Sequence, residues 1–229
     1  NRFFPEIAAV GEVVEIPEIG QFEIRDPSHV IDKRLVRAIP WELANVALLS
    51  ALVQALHPEA EVLDVGANVG SIIVPLALHH PSRRFNAFEP APETFAALER
   101  NLALNSCTNV HAERVGCGSA SGRVRFDLGP AENPGEARVS EDGTHEIELV
   151  RLDDAMEGRR TGLMKIDVEG AELSVLEGAE RILREDRPLV LCEILHGSEK
   201  SVFSYFEERG YAGEHVHFRD YLFRPVRRP

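Results

Sequence analysis

Residues 61–70, which read E-V-L-D-V-G-A-N-V-G, constrain the fold of this chain more than any other segment. The apolar first half predicts a short buried strand, and it ends in a turn that contains Gly66 and Gly70. An amphipathic stretch over residues 71–80 predicts a helix directly after the turn. A strand that passes through glycines into a helix opens α/β domains that bind nucleotide-type ligands. The sequence therefore predicts a mostly parallel sheet with a ligand site at this turn.

Asp64 lies two residues before the first glycine and narrows the choice of ligand. A carboxylate at this position repels a pyrophosphate and attracts a cationic amino-acid group. The turn also lacks the central glycine of the dinucleotide pattern G-x-G-x-x-G. S-adenosylmethionine carries an ammonium and a sulfonium but no phosphate, so it is the cofactor we expect. An NAD(P)-binding dehydrogenase remains the alternative.

The chain has 229 residues with 44% hydrophobic content, which is enough for one good core. Residues 1–56 contain too little apolar surface for a core of their own. We expect them to form an N-terminal cap within the same domain, with a strand pair and then a helix from Trp41 to Leu56. Residues 57–229 alternate strands with helices and form the cofactor-binding domain. Glycine, serine and proline interrupt this rhythm and predict a hairpin insertion near residues 119–150.

The alternation within residues 57–229 predicts right-handed crossovers between parallel strands. Strands are expected at residues 61–66, 84–88, 109–115, 163–168 and 189–194. Helices are expected at residues 69–80, from Pro92 onward, at 171–185 and at 199–209. A closing pair of strands is expected at residues 211–218 and 221–223.

The charge balance disfavours nucleic acid as a partner. The chain has 38 acidic and 25 basic residues and a formal net charge of −13, whereas phosphate binding needs a basic face. The basic cluster at the C terminus is expected to be a solvated tail; its members are Arg219, Arg224, Arg227 and Arg228.

The cysteines and the apolar runs indicate the compartment. Three cysteines without a C-x-x-C pattern, Cys107, Cys117 and Cys192, predict a reduced, cytoplasmic protein in which they serve as apolar packing residues. The longest apolar run, residues 46–56, is too short to span a bilayer, so no membrane partner is expected. No signal peptide is visible, but the chain begins at Asn1, which leaves open what precedes it.

Acidic side chains follow the predicted strands at the edge where α/β sheets bind ligands. Glu89 lies 19 residues after Gly70, where a carboxylate can accept hydrogen bonds from both ribose hydroxyls. Asp167 and Lys165 should share one side of their strand, and an ion pair between them is the simpler role for this acid. The other acidic residues at these strand ends are Asp64, Glu169 and Glu193, and His196 follows the last of them.

Four stretches of the chain resemble the FkbM-type family of S-adenosylmethionine-dependent methyltransferases. They are V-L-D-V-G-A-N-V-G (62–70), F-E-P-A-P-E-T-F (88–95), N-V-H-A-E-R-V-G (109–116) and M-K-I-D-V-E-G-A-E (164–172). The resemblance covers about residues 40–200, and D-V-E-G is its most specific part. It implies an α/β, Rossmann-like fold: a seven-stranded, mostly parallel sheet with helices on both faces and an antiparallel last strand.

The resemblance also implies roles for individual residues. It places the methionine end of the cofactor at Asp64, Gly66, Asn68 and Gly70 and the ribose at Glu89, and we add Gly116 to the cofactor-binding set. It places Asp167, Glu169 and Glu193 around the transferred methyl group. Many members of the family methylate hydroxyl oxygens on sugars or secondary metabolites, so a small-molecule hydroxyl is the acceptor we expect. Residues 1–40 and 120–145 match no family motif and are expected to select the substrate.

Methyl transfer to an alcohol also requires a group that accepts the hydroxyl proton. The sequence offers four candidate residues without ranking them: Asp167, Glu169, Glu193 and His196. A divalent ion held by Asp167, Glu169 and Glu193 would instead lower the pKa of the alcohol directly; this is possible but not expected. A binding module that has lost its catalytic activity is a further alternative. The acceptor and the oligomeric state stay open.

Overall fold

The computed structural model describes residues 10–26, 30–35, 37, 42–128, 138–140 and 142–226. The elements in chain order are β1 (Val13–Ile16), β2 (Gly20–Glu23), α1 (Val30–Leu35), α2 (Leu43–Gln54), β3 (Glu61–Val65), α3 (Ile73–His79), β4 (Phe85–Phe88), α4 (Pro92–Leu104), β5 (Val110–Glu113), β6 (Gly116–Cys117), β7 (Gly122–Asp127), β8 (Arg138–Val139), β9 (His145–Val150), α5 (Leu152–Ala155), β10 (Thr161–Ile166), α6 (Glu172–Gly178), β11 (Leu189–Glu193), α7 (Glu199–Glu208), β12 (Tyr211–His217) and β13 (Asp220–Pro225).

Seven of these strands form the central sheet, in the order β12–β13–β11–β10–β3–β4–β5. The pairs from β11 to β5 are all parallel. The last strand, β13, runs antiparallel to β11 on one side and to β12 on the other. The fold is therefore the predicted α/β sheet, mostly parallel with an antiparallel last strand.

Helices cover both faces of the central sheet. On one face, a buried apolar cluster joins β1 and β2 with α2, α3 and α4; Phe22, Leu49 and Leu98 belong to it. On the other face, a second cluster packs α5, α6 and α7 against the sheet through residues such as Met164 and Phe206. The predicted strand pair near the N terminus is thus β1–β2, and it contributes to the same core as the sheet. The domain boundary at residue 56 stays a prediction.

The strand order creates a crevice between β3 and β10. From β3 the chain first adds β4 and β5 on one side of the sheet, and later adds β10 and β11 on the other side. The connections that leave β3 and β10 therefore diverge, which opens a crevice at the carboxyl ends of these two neighbouring strands. The backbone N–H of Asp167 donates to the Val65 carbonyl (2.9 Å), so the two strand ends stay in contact there.

The predicted hairpin insertion is part of a second sheet of four strands, in the order β6–β9–β7–β8. β7 and β9 form its antiparallel centre. Its apolar side chains Phe126 and Ile147 are buried in a small cluster with Ala91, which lies just before α4. The second sheet is thereby fixed against the strand ends of the central sheet. The Gly- and Pro-rich stretch at residues 129–135 lies outside the described residues.

The single helix predicted at residues 171–185 is interrupted. α6 ends at Gly178, where a Cβ atom would lie 2.0 Å from the carbonyl oxygen of Gly118. A π-helical segment follows at residues 182–186. The carboxylate of Asp153 accepts the backbone N–H groups of Arg181 (2.9 Å) and Ile182 (3.0 Å). These contacts come from distant parts of the chain, which explains why the local periodicity does not predict the break.

The remaining predictions concern the helix ends and the cysteines. α2 corresponds to the helix predicted from Trp41 to Leu56, and Trp41 itself lies outside the described residues, as do Arg227 and Arg228.

The three cysteines are buried, as expected of apolar packing residues. Within the ranges that the structure describes, none of the helices combines the length and apolar character needed to cross a bilayer.

Candidate active site

The turn after β3 depends on its two glycines. Gly66 has φ +84°, and a Cβ atom at this position would lie 1.8 Å from the backbone oxygen of Asp167. Gly70 has φ +88°, and its Cβ would lie 2.9 Å from a methyl carbon of Leu98 in α4. Both positions therefore need a residue without a side chain. The glycines therefore let β3, α4 and the beginning of the loop after β10 approach one another closely.

Asn68 and Glu89 connect this turn to the end of β4. The backbone N–H of Asn68 donates to Glu89 Oε2 (3.0 Å), and the N–H of Ala91 donates to Glu89 Oε1 (2.8 Å). Burial raises the pKa of Glu89 to about 7, although these two donors oppose the shift. Each carboxylate oxygen has further acceptor capacity. Glu89 is thus fixed in position and can accept hydroxyl groups of a ligand.

A cleft of about 650 Å³, counting the open solvent at its mouth, extends from this turn along the crevice between β3 and β10. The second sheet forms one wall of the cleft with Phe126, Ile147 and Leu149. Gly116 lines the cleft as well, and a Cβ there would lie 2.6 Å from Leu149, so the glycine makes room for that wall. Polar groups that line the cleft are Asn68, Glu89, Asp167 and Glu169.

No lysine or arginine lines this cleft within the part of the chain that the structure describes. The negative lining disfavours a pyrophosphate and suits a cationic ligand. Glu169 lies at the cleft with its backbone at φ +44°. The cleft therefore combines apolar walls with carboxylates at one side, and this arrangement favours a ligand that has an apolar, a polyhydroxyl and a cationic part.

Asp64 lies beneath the turn and does not line the cleft. Its side chain is 1% exposed, and neither carboxylate oxygen has a hydrogen-bond partner within the described residues. Burial raises the pKa of Asp64 to about 6, and the nearby ammonium of Lys165 partly opposes this shift. The prediction that Asp64 contacts the cofactor directly therefore finds no support in the cleft lining, and any effect of Asp64 on the cleft would come through its charge.

Lys165 pairs with Asp167, as the alternation of side chains along β10 predicts. Its Nζ lies 2.9 Å from Asp167 Oδ2. Burial disfavours the charged ammonium, but Asp167, Asp64 and Glu42 outweigh this effect and raise the pKa of Lys165. Lys165 is therefore a fixed positive charge and cannot act as a base at neutral pH.

Three carboxylates meet beside the cleft. Glu42 at the start of α2, Asp167 after β10 and Glu193 at the end of β11 each place one carboxylate oxygen within 4.8 Å of the other two. Glu193 also forms an ion pair with Arg219. Burial raises the pKa of Glu42. The structure thus brings together two of the predicted residues and adds Glu42, which the sequence analysis missed.

His196 lies apart from these carboxylates. Its side chain is 88% exposed, and its Nδ1 lies 3.3 Å from Glu199 Oε1 at the start of α7. It is not among the residues that line the cleft. A catalytic role for His196 would require a movement of this exposed loop.

Comparison with known proteins is consistent with this geometry. The family model described as the methyltransferase FkbM domain matches residues 64–223, from Asp64 in β3 to β13. The chain belongs to the FkbM methyltransferase family. A crystal structure of the FkbM methyltransferase of Methylobacillus flagellatus KT has the same fold, with a TM-score of 0.55 and 19% identity. The match covers 85% of this chain and 52% of that protein.

Two of the similar curated proteins are named for a specific methyl-transfer activity. Hexuronic acid methyltransferase AglP of Haloferax volcanii is 30% identical over 164 residues, which covers 69% of this chain and 66% of AglP. The 31-O-demethyl-FK506 methyltransferase FkbM of Streptomyces tacrolimicus is 31% identical over 160 residues, covering 55% of this chain and 61% of that protein. Methyltransferase 1 of Beauveria bassiana is 29% identical over 145 residues, covering 52% of this chain and 58% of its own length. The chain thus spans about three fifths of the length of these relatives.

The FkbM domain of this chain includes Asp167, Glu169 and Glu193, but Glu42 lies before it. Glu42 sits in a left-handed conformation (φ 51°) at the start of α2, and Asn45 in that helix donates to Asp220 at the start of β13 (2.8 Å). No local sequence pattern marks either residue, because both acquire their place only when α2 packs on the end of the sheet.

Proposed function

We propose that this protein transfers a methyl group from S-adenosylmethionine to a hydroxyl oxygen of a small molecule. The observation that carries the proposal is the cleft at the ends of β3 and β10, which is lined by carboxylates and apolar groups and, among its described residues, by no lysine or arginine. Membership of the FkbM family supports it. The names of two relatives, hexuronic acid methyltransferase AglP and the Streptomyces 31-O-demethyl-FK506 methyltransferase, support a hexuronic acid or another small-molecule hydroxyl as the class of acceptor.

The residues present fit this cofactor. Gly66 lets the loop after β10 pack directly against the end of β3, and its backbone lines the cleft where the cofactor would bind. Glu89 has both oxygens oriented by backbone N–H groups and can bind the ribose hydroxyls. The buried, unpartnered carboxylate of Asp64 supplies negative charge below the turn, where the amino-acid end of the cofactor would lie.

When bound, S-adenosylmethionine supplies the methyl group: the bond from acceptor oxygen to methyl carbon forms as the carbon–sulfur bond breaks and its electron pair leaves with sulfur. The residues of this chain contribute mainly by holding the oxygen in line with that bond. Carboxylates near the cationic sulfur favour binding of the ground state, and since that charge disappears during transfer they cannot alone accelerate it.

Glu169 is the residue we propose to accept the hydroxyl proton. Glu193 does not line the cleft, whereas Asp167 does and is held by the Lys165 ammonium at 2.9 Å. Arg219 interacts electrostatically with Glu169 as well as with Glu193. Glu169 lines the cleft just after the carboxyl end of β10. His196 is exposed and remote from the cleft lining, so we do not assign it this role.

The test is a methyl-transfer assay with the purified chain. S-adenosylmethionine is incubated with hexuronic acids and with a panel of secondary alcohols, and both S-adenosylhomocysteine and methylated product are quantified by mass spectrometry. The proposal expects the two to form in equal amounts with at least one acceptor. Binding of the cofactor without transfer to any acceptor would favour a module that only binds. Hydride transfer to or from NAD(P) would contradict the proposal.

A further inference from the structure

Glu42, Asp167 and Glu193 form a compact set of oxygen ligands. One oxygen from each lies within 4.8 Å of the others. A cation that binds carboxylate oxygens at about 2.0–2.6 Å fits between ligand atoms at such separations. The three residues come from the start of α2, the loop after β10 and the end of β11, so the fold itself assembles the set.

A second observation points to a missing positive partner. Asp64 pairs in register with Lys165 on the neighbouring strand, so both side chains lie on one face of the sheet. Asp64 interacts electrostatically with Lys165, Asp167 and Glu42, which places its charge next to the ligand set. The Asp64 side chain is 1% exposed, yet neither oxygen has a hydrogen-bond partner within the described residues. A buried carboxylate without a partner is costly unless a cation compensates it.

Asn45, beside Glu42, also has a buried polar atom without a partner among the described residues. Its Nδ2 donates to Asp220 (2.8 Å) and lies 3.4 Å from Glu42 Oε2. Its Oδ1 is buried and has no partner among the residues that the structure describes. An amide oxygen of this kind can accept from water bound to a cation.

The local charges do not balance. Among the described residues, Lys165 pairs with Asp167, Arg219 pairs with Glu193, and His217 interacts electrostatically with Asp220. These three basic side chains face six carboxylates, which are those of Glu42, Asp64, Asp167, Glu169, Glu193 and Asp220.

We propose that Glu42, Asp167 and Glu193 bind one hard divalent cation, Mg²⁺ or Mn²⁺, beside the cofactor cleft. Ligands that are all carboxylate oxygens select hard cations over zinc or copper. The inference rests on the proposed function in one respect: Asp167 also lines the cleft, so a cation held by it would lie next to a bound acceptor. A cation there would orient the acceptor hydroxyl and lower its pKa.

The test measures cation binding directly. The purified chain is stripped with EDTA, dialysed and titrated with Mn²⁺, while electron paramagnetic resonance reports the free ion. The expected result is one Mn²⁺ per chain, displaced by excess Mg²⁺. Glu42→Gln and Glu193→Gln should each weaken Mn²⁺ binding by at least about tenfold, since even partners that only orient a ligand contribute that much. The matched control is Glu59→Gln, an exposed residue in the loop before β3, which should bind Mn²⁺ like the unmodified chain.

Two readouts separate this inference from the proposed function. Titration with S-adenosylhomocysteine should give the same affinity in Glu42→Gln as in the unmodified chain, because Glu42 does not line the cleft. Absence of stoichiometric Mn²⁺ binding, or unchanged Mn²⁺ affinity in Glu42→Gln, would overturn the cation site. The proposed function would still stand in that case if methyl transfer proceeds in EDTA. Mn²⁺ binding in a chain that does not bind S-adenosylhomocysteine would keep the cation site and overturn the proposed function.

Discussion

Two groups of carboxylates, those of the cofactor cleft and those of the acidic cluster, share Asp167 and are stabilised in different ways. In the cofactor cleft, Glu89 is buried but receives one backbone N–H on each oxygen. In the acidic cluster of Glu42, Asp167 and Glu193, two side-chain cations provide the compensation. Asp64, beneath both groups, receives no hydrogen bond within the described residues.

This difference indicates two kinds of binding site. Backbone donors are fixed by the turn after β3 and the start of α4, so Glu89 is preorganised before any ligand binds. The acidic cluster is assembled from distant parts of the chain and has more negative than positive charge among the described residues. We therefore expect the cleft to tolerate few changes in its backbone, and the cluster to respond to changes in charge.

The largest effect is expected from Gly66→Ala. Its Cβ would lie 1.8 Å from the Asp167 oxygen, and φ is +84°. We expect loss of S-adenosylhomocysteine binding and a decrease in the free energy of unfolding of at least about 4 kcal/mol, measured by calorimetry and by denaturant titration. Gly158→Ala is the control, because it has φ +71° but nothing within 4 Å of the added Cβ; it should cost about 1–2 kcal/mol. Equal effects of the two changes would contradict the close approach of β3 and β10.

The next effect concerns catalysis at the cleft. Glu169→Gln removes the proposed proton acceptor, so kcat should fall by about 10²–10⁴-fold, while the affinity for S-adenosylhomocysteine stays nearly unchanged. Steady-state kinetics and isothermal titration measure the two quantities separately. Glu59→Gln serves as the control for the loss of one negative charge. Normal turnover in Glu169→Gln would remove this residue from the mechanism.

A smaller effect is expected from pH, through Glu89. Its pKa is raised to about 7, so the carboxylate becomes protonated as the pH falls through 7 and accepts ribose hydroxyls less well. The affinity for S-adenosylhomocysteine should therefore fall by up to about tenfold between pH 8 and pH 6. In Glu89→Gln the affinity should be weaker and should lose this pH dependence. An unchanged pH dependence in the variant would assign it to another group.

The raised pKa of Glu89 affects fold stability and ligand affinity in opposite directions: a rising pH strengthens ligand binding but weakens the fold. Because the pKa of Glu89 is higher in the folded chain than its ordinary value of 4.5, the folded chain binds more protons between pH 4.5 and 7. The contribution of Glu89 to the free energy of unfolding therefore decreases as the pH rises through this window. Denaturant titrations of the unmodified chain and of Glu89→Gln at pH 5 and pH 7 should show this difference, and its reversal would contradict the burial of Glu89.

The smallest effect lies far from both sites. Asp153→Ala removes the acceptor for the N–H groups of Arg181 and Ile182, so the free energy of unfolding should fall by about 1–2 kcal/mol. Asp154→Ala is the matched control, because that side chain is 61% exposed. Both variants should bind S-adenosylhomocysteine and Mn²⁺ normally. Loss of either ligand in Asp153→Ala would show that the fold and the sites are coupled more widely than we propose.

The sequence predicted the elements that depend on neighbouring residues. One β–α–β unit contains the turn with Gly66 and Gly70 and the acid Glu89. Because these residues follow a fixed spacing within the unit, the sequence alone predicts them. The pairing of Lys165 with Asp167 follows from the two-residue period of a strand.

The sequence could not predict contacts between distant segments. Asn45 and Asp220 are 175 residues apart, and only the packing of α2 against the sheet brings them together. The sequence predicted a hairpin near residues 119–150, but not that its side chains, such as Phe126, would form a wall of the cleft, because that depends on how the second sheet packs. Residues whose roles depend on such packing, Glu42 above all, have no local signal.

Isothermal titration of the purified chain with S-adenosylhomocysteine and, separately, with NAD⁺ tests the central claim most directly. The cleft, lined by carboxylates and apolar side chains, should bind S-adenosylhomocysteine at one site per chain and give no heat with NAD⁺. Saturable binding of NAD⁺ together with no binding of S-adenosylhomocysteine would contradict the account.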